Sequence, residues 1–258
     1  MASSLGAGIA SLLESYCSFI SLTINSLASA ADFQEGQVLL IDKPLQWTSF
    51  QAVNKMKWVL KSELGLKKIK IGHAGTLDPL ASGLLIVCSG KFTKRITEIQ
   101  AQAKEYTGTF FLGATTPSYD LETEIDQTFS TIHITEELMR ETLKHFQGEI
   151  DQKPPIFSAI KKEGKRLYEH ARAGEEVEIP FRKTTIHEFE ITRIAMPEVD
   201  FRIVCSKGTY IRSIAYDFGK ALNSGAHLIA LRRTKIGDYT VENAMTLEQF
   251  EKGIRESL

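Results

Sequence analysis

The chain has 258 residues, 43% hydrophobic and 24% charged, which is ordinary globular usage and excludes collagen-like, wholly disordered and disulfide-scaffold proteins. Its 31 Lys and Arg against 32 Asp and Glu leave a formal net charge of −1, so a uniformly basic nucleic-acid binder is excluded as well. Cys17, Cys88 and Cys205 form no CxxC or Cys/His spacing, so a reducing, cytoplasmic compartment is expected.

Residues 1–31 contain one charged side chain, Glu14, and no Lys or Arg precedes Lys43. Ala28-Ser29-Ala30 fits an A-x-A cleavage pattern, but a secretory signal would start with a basic region, and the interspersed Ser, Thr and Asn make a poor membrane span. Residues 1–33 are therefore read as a weakly structured N-terminal extension, and residues 34–258 as one folded domain. Val38-Leu39-Leu40-Ile41 reads as a buried strand ended by Asp42-Lys43-Pro44. Thr48-x-x-Gln51 is a capping box for a helix carrying Phe50, Val53, Met56 and Leu60. A glycine-rich loop spans Gly72 to Gly83. Beyond it, 84–88 reads as a strand, 93–102 as a helix, 104–112 as a Tyr/Thr/Phe-rich strand, and the acidic stretch to Asp126 as loop. Thr135 can cap a helix with Leu138, Met139, Leu143 and Phe146 on one face, stopped by Gly148. After a basic segment, Val199, Phe201, Ile203 and Cys205 alternate as in a half-buried strand. Ile211, Ile214, Ala215, Phe218, Ala221 and Leu222 then mark one apolar helix face. Residues 228–236 read as a strand, and Thr246-x-x-Gln249 caps a last helix. This succession predicts an α+β fold with a single mixed, mainly antiparallel sheet flanked by helices.

Two clusters carry candidate chemistry. Gly72-His73-Ala74-Gly75-Thr76-Leu77-Asp78-Pro79-Leu80-Ala81-Ser82-Gly83 places one carboxylate before a proline, which biases Asp78 towards an extended conformation at a defined angle. Local turn hydrogen bonding is the other reading of Asp78. Ser206-Lys207-Gly208-Thr209-Tyr210-Ile211-Arg212 sits where a strand hands over to a helix, so Tyr210 and Arg212 flank the helix start. Arg212 is either a partner that orients Asp78, as a nucleophile requires, or a surface arginine. Tyr106 is either a stacking platform for a base or ordinary sheet packing. No P-loop, dinucleotide fingerprint, zinc site or G-x-S-x-G elbow is present.

Taken together, Asp42-Lys43-Pro44, Thr48-Ser49, the Gly72–Gly83 run, Lys104-x-Tyr106, Leu112-Gly113, Ser206 to Arg212, Gly225-Ala226-His227-Leu228 and Leu231-Arg232-Arg233 resemble the TruB family of tRNA pseudouridine synthases over about residues 37–250. The resemblance implies conversion of uridine to pseudouridine at position 55 in the T-loop of tRNA, on a flipped-out base, without cofactor or metal. It implies Asp78 as nucleophile, towards the uracil ring or the ribose carbon, with Tyr106 stacking on the base. Arg212 would pair with Asp78, and Tyr210 would lie against the ring as candidate acceptor of the C5 proton. His73 would fill the gap in the RNA loop, and Lys43 would support the site.

The charge is segregated: six Lys/Arg against two Glu over 153–172, and nine Asp/Glu against two Lys/Arg over 118–151. Basic clusters at Lys67/Lys68/Lys70, Lys91/Lys94/Arg95 and Arg232/Arg233/Lys235 are expected to meet tRNA phosphates while the acidic stretch faces away. The RNA-binding set is thus Lys43, His73, Lys94, Lys161, Arg232 and Arg233, on a monomer whose partner is the tRNA T-arm, with no membrane association. Gln46 stands where the family usually has glycine, and no additional C-terminal RNA-binding domain is expected. Competing readings are an RNA-folding protein, a guide-RNA-dependent relative and a carboxylate hydrolase. Intact Tyr106, Tyr210 and Arg212 beside Asp78 argue against binding alone.

Overall fold

The computed structural model describes residues 29–257 apart from 159, 163 and 176. The chain enters through α1 (Ala30–Glu35), where the Asp32 carboxylate accepts the Ser29 N–H at 2.8 Å and closes a capping box. Phe33 is fully buried, edge-on to Phe250. Residues 30–33 thus belong to the folded unit, which corrects the extension's boundary because a phenyl ring seated in the core anchors them. The rest of the expected extension, 1–28, lies outside the described residues.

The next elements are β1 (Val38–Lys43), α2 (Ser49–Glu63), β2 (Ile71–His73) and β3 (Ala81–Ser89). The capping box before α2 forms as predicted: the Thr48 hydroxyl accepts the Gln51 N–H at 3.0 Å, and the Gln51 amide oxygen accepts the Thr48 N–H at 2.8 Å. The helix predicted over 93–102 is split into a 3₁₀ segment, Gly90–Arg95, and α3 (Ile96–Ala101). After β4 (Lys104–Leu112), the short pair β5 (Ala114–Thr115) and β6 (Gln127–Thr128) pinches off the acidic loop. Then come α4 (Glu136–Leu143), β7 (Gly148–Gln152), the small β8 (Lys161–Lys162) and β9 (Lys165–Arg166), α5 (Leu167–Arg172), β10 (Arg182–Ala195) and β11 (Glu198–Cys205). The chain finishes with α6 (Ile211–Ala221), β12 (Ala226–Ile236), β13 (Tyr239–Thr240) and α7 (Leu247–Glu256).

The main sheet runs β1-β3-β12-β4-β11-β10-β7, with β2 added to β3 and β13 to β12. All neighbours are antiparallel except β3 and β12, which are parallel with Leu231 opposite Ala81. The architecture is the mixed, mainly antiparallel α+β sheet expected. Gly83 is required at the parallel seam: its φ is +101°, and a Cβ there would lie 2.3 Å from the Arg233 carbonyl oxygen.

The largest core packs Phe110, Phe189, Phe201 and Phe218 between the sheet and α6, whose Ile211, Ile214, Ala215, Phe218 and Leu222 form the predicted apolar face. Each such side chain stabilises the fold by about 1.5–3 kcal/mol. A second cluster holds α2 and α7 on β1 and β3. Among the described residues no helix is long and apolar enough to cross a membrane.

Burial raises the Asp217 carboxyl on α6 to about 6. The native state therefore keeps a proton that the unfolded chain has already lost between about pH 4 and 6, and stability falls as pH rises through that window. Asp217→Asn is expected to raise the melting temperature more at pH 8 than at pH 4. Equal shifts at the two pH values would disprove this account.

Candidate active site

The loop between β2 and β3 is held from three sides. The Ser49 hydroxyl at the start of α2 donates to the Leu77 carbonyl at 3.1 Å and accepts the Leu77 N–H at 2.8 Å. Gln46 donates its N–H to the Pro79 carbonyl at 2.8 Å and keeps a positive φ of 65°. Arg233 lies behind the loop, 1% exposed, donating to the carbonyls of Leu84 (2.8 Å), Gly75 (3.1 Å) and Thr76 (3.4 Å). Asp78 is thereby presented at the mouth, its side chain 42% exposed.

Arg212 reaches Asp78 from the first turn of α6, with Nη2 2.9 Å from Oδ2. This guanidinium is 4% exposed, and its Nη1 donates to the Ser118 carbonyl at 3.3 Å. Its Nε lies 3.5 Å from Oδ2 of Asp120, a separation too long and unaligned for a hydrogen bond. Asp120 is itself buried, and burial raises its carboxyl, with Arg212 opposing the rise. A tight turn makes this possible: Tyr119 has a φ of 64°, and the hydroxyls of Thr116 and Ser118 both donate to the Asp120 carbonyl. The acidic stretch was expected to face away from the site. Asp120 does not, because it supplies a second carboxylate to the buried arginine.

A cleft of about 620 Å³ is lined by Asp78, Tyr106, Tyr210 and Arg212. Burial raises the phenols of both Tyr106 and Tyr210, and the Asp78 carboxylate adds to each rise. Lys104, Arg182, Lys183 and Lys207 also line the cleft and give it a basic wall. A smaller cavity of about 80 Å³, walled by Leu45, Leu80, Leu121 and Leu228, adjoins the cleft at Asp78 and Arg212.

The expected RNA contacts divide. Lys94 and Lys161 are exposed but outside the cleft, and Arg232 is half-exposed, paired with Asp42 at 2.6 Å. His73 is partly buried, its Nδ1 without a hydrogen-bond partner and its pKa lowered by burial. Lys43 and Arg233 do not reach the surface, which corrects their place among the phosphate contacts. Lys43 is fully buried, its ammonium donating to the carbonyls of Pro44 (2.8 Å) and Trp47 (2.6 Å), and burial lowers its pKa to about 8. Arg233→Met is expected to cost about 3 kcal/mol of stability, since it strips donors from three carbonyls of the loop and its strand. Arg232→Met should cost under about 1 kcal/mol, because an exposed pair is worth little. Urea unfolding of both variants separates the two roles, and equal losses would refute the assignment.

With this geometry in hand, comparison with known proteins is decisive. Residues 61–211 match the family model of the TruB family pseudouridylate synthase N-terminal domain, and residues 212–257 match that of the tRNA pseudouridylate synthase B C-terminal domain. The chain belongs to the TruB family. Proteins named tRNA pseudouridine synthase B from Flavobacterium johnsoniae and Phocaeicola vulgatus are 74% and 56% identical to it, over 87% and 85% of this chain and 98% and 93% of theirs. A crystal structure of a Cbf5-Nop10-Gar1 complex superposes with a TM-score of 0.63 at 28% identity, covering 90% of this chain and 63% of the matched one. The substrate-bound H/ACA RNP containing 2′-deoxyuridine gives 0.61 at 29%, covering 84% and 52%. This chain thus spans between half and two thirds of those structural relatives. The segment matching the C-terminal model is no separate unit here: it supplies α6, β12, β13 and α7 to the same sheet and core.

Gln152, at the end of β7, escaped the sequence reading. It is 2% exposed, and its amide accepts the Tyr210 N–H at 2.8 Å while donating to the Tyr210 carbonyl at 3.0 Å. The N–H of the α6 N-cap residue is thereby satisfied, and its carbonyl, which also accepts the Ile214 N–H at 3.2 Å, gains a second donor, although Tyr210 makes no side-chain cap. Gln152→Ala is expected to lower the single-turnover isomerisation rate by about 100-fold, the usual cost of a small misplacement in a reacting assembly. Unchanged turnover would remove Gln152 from the site. Asp78, Tyr106 and Arg212 were singled out through the family resemblance, since their local patterns left a turn, sheet packing and a surface arginine as open readings. Gln152 and Asp120 were not, because each acts through a contact 58 or more residues away in sequence.

Proposed function

We propose that this chain isomerises uridine to pseudouridine at position 55 in the T-loop of tRNA, working as a cytoplasmic monomer on a base flipped out of the loop. The observation that carries the proposal is the Asp78–Arg212 pair: one partly exposed carboxylate, oriented by a buried guanidinium, in a cleft it shares with two tyrosines. Membership of the TruB family and the similarity to proteins named tRNA pseudouridine synthase B support the substrate class.

In the proposed reaction, Asp78 attacks the uracil ring or the ribose C1′, and the N1–C1′ bond breaks. The base then rotates under Tyr106, the C5–C1′ bond forms, the bond to the Asp78 oxygen breaks, and the C5 proton is lost while N1 takes one up, so that no proton is gained or lost overall. The cleft walls keep the detached base from diffusing away. Tyr210 is the proposed acceptor of the C5 proton. Its raised phenol opposes a resting phenolate, so the phenol must pass its own proton onward, and the Asp78 carboxylate, which lines the same cleft, can relay that proton towards N1 once its bond to the substrate has broken. The exposed basic residues would hold the T-arm backbone, so affinity should fall with salt. The test is incubation of the purified chain with unmodified tRNA transcript and mapping of pseudouridine. Product at position 55 alone supports the proposal, whereas product elsewhere or none refutes it.

A further inference from the structure

The outer face of α2 carries a feature that the cleft does not use. At 100° per residue, Phe50, Asn54, Lys57, Trp58 and Lys61 fall within about a third of the helix circumference. All five are exposed, Phe50 at 69% and Trp58 at 52%, while Ala52, Val53, Met56, Val59 and Leu60 fill the core on the opposite side. A globular helix usually turns a charged, apolar-free face to water, so a Phe and a Trp set among lysines need a reason.

The charge on this face is also unbalanced. Lys91, Lys144, Lys183 and Lys252 each meet a glutamate, as surface lysines commonly do. Lys57 and Lys61, with Lys67, Lys68 and Lys70 in the turn that follows, meet no carboxylate among the described residues. The carboxylates near α2 are engaged elsewhere: Glu63 pairs with Arg255, and Glu251 with Lys55 and Arg255. Lys55 also lies 4.7 Å from the Trp58 ring centroid, which steadies the indole with one face against a cation.

The helix that carries the stripe starts against the loop that bears Asp78. Ser49, one residue before Phe50, holds the Leu77 backbone next to Asp78. From Phe50 the stripe runs about 16 Å along the helix axis to Lys61.

We propose that the outer face of α2 is a second RNA-binding surface, on which Lys57 and Lys61 meet backbone phosphates of the substrate tRNA outside the T-arm and Trp58 packs on a sugar or base. This rests on the tRNA reading above and extends it. Unpaired lysines supply phosphate affinity without sequence preference, and an exposed indole supplies stacking on any nucleotide.

The test compares two RNAs, full-length unmodified tRNA transcript and an isolated T-arm hairpin, by filter binding and by single-turnover pseudouridine formation. The double variant Lys57→Gln/Lys61→Gln is expected to weaken binding of full-length tRNA by about tenfold and to lower the slope of log affinity against log salt by about 2. Binding of the hairpin should stay within about twofold, as should the saturating rate on either RNA. Trp58→Ala should weaken full-length binding without changing the salt slope. Equal losses on both RNAs, or no loss on either, overturn the proposal. Because binding is read apart from product, failure of the chain to isomerise any uridine would count against the Asp78 reading and leave the α2 result interpretable. All three side chains are exposed, and an unchanged melting temperature confirms intact folding.

Discussion

Asp78→Asn is expected to reduce pseudouridine formation by at least about 10⁴-fold while leaving tRNA affinity within a few-fold of wild type. The amide is nearly isosteric with the carboxylate and can still sit beside Arg212, so the loop and its three anchors keep their geometry. What is lost is the nucleophile, and groups acting as one reacting unit lose most of the rate when one member goes. Residual catalysis within about 100-fold of wild type would exclude covalent participation of Asp78. Lost binding alongside lost activity would instead assign Asp78 a part in RNA recognition.

Arg212→Met should be damaging in two ways at once. The guanidinium is buried between Asp78 and Asp120, and its removal leaves Asp120 a buried carboxylate without a counter-charge. Breaking a buried pair from one side costs about 3–5 kcal/mol. The catalytic carboxylate also loses its orientation, so turnover should fall by about 10³-fold or more. The added change Asp120→Asn should recover part of the stability, because it neutralises the stranded charge, but none of the activity. Urea midpoints and single-turnover rates read the two effects separately, and a single variant as stable as wild type would contradict the account. Arg212→Lys is no rescue, since one ammonium cannot span both carboxylates and the Ser118 carbonyl as a guanidinium does.

Sequence legibility followed the range of the determining interactions. The capping boxes at Thr48 and Thr246 and the apolar stripe from Ile211 to Leu222 are written within one to three turns of helix; both boxes formed as read, and so did the stripe except at Ala221, which is exposed. β10 was missed because its Arg182-Lys183-Thr184-Thr185 start is polar and register shifts at Ile186/Glu188 and Ile191/Arg193 break the alternation of its apolar residues. β7 was hidden by the polar sequence Gly148-Glu149-Ile150-Asp151-Gln152, which owes its extended form to pairing with β10. Within the site, Arg233 looked like part of a basic surface cluster. Its register opposite Gly83 and Tyr106 puts it inside, which only the pairing of β12 with both β3 and β4 decides.

That pairing governs how the protein can be made. β12 lies between β3 and β4, yet it leaves the ribosome well after both of them. Until it emerges, both neighbours present bare edges, and the loop bearing Asp78 lacks the buried side chain that props it from behind. A nascent chain therefore has no working pocket until β12 has emerged, and ribosomal stalling ahead of Ala226 would yield a sticky, inert intermediate and not a weak enzyme.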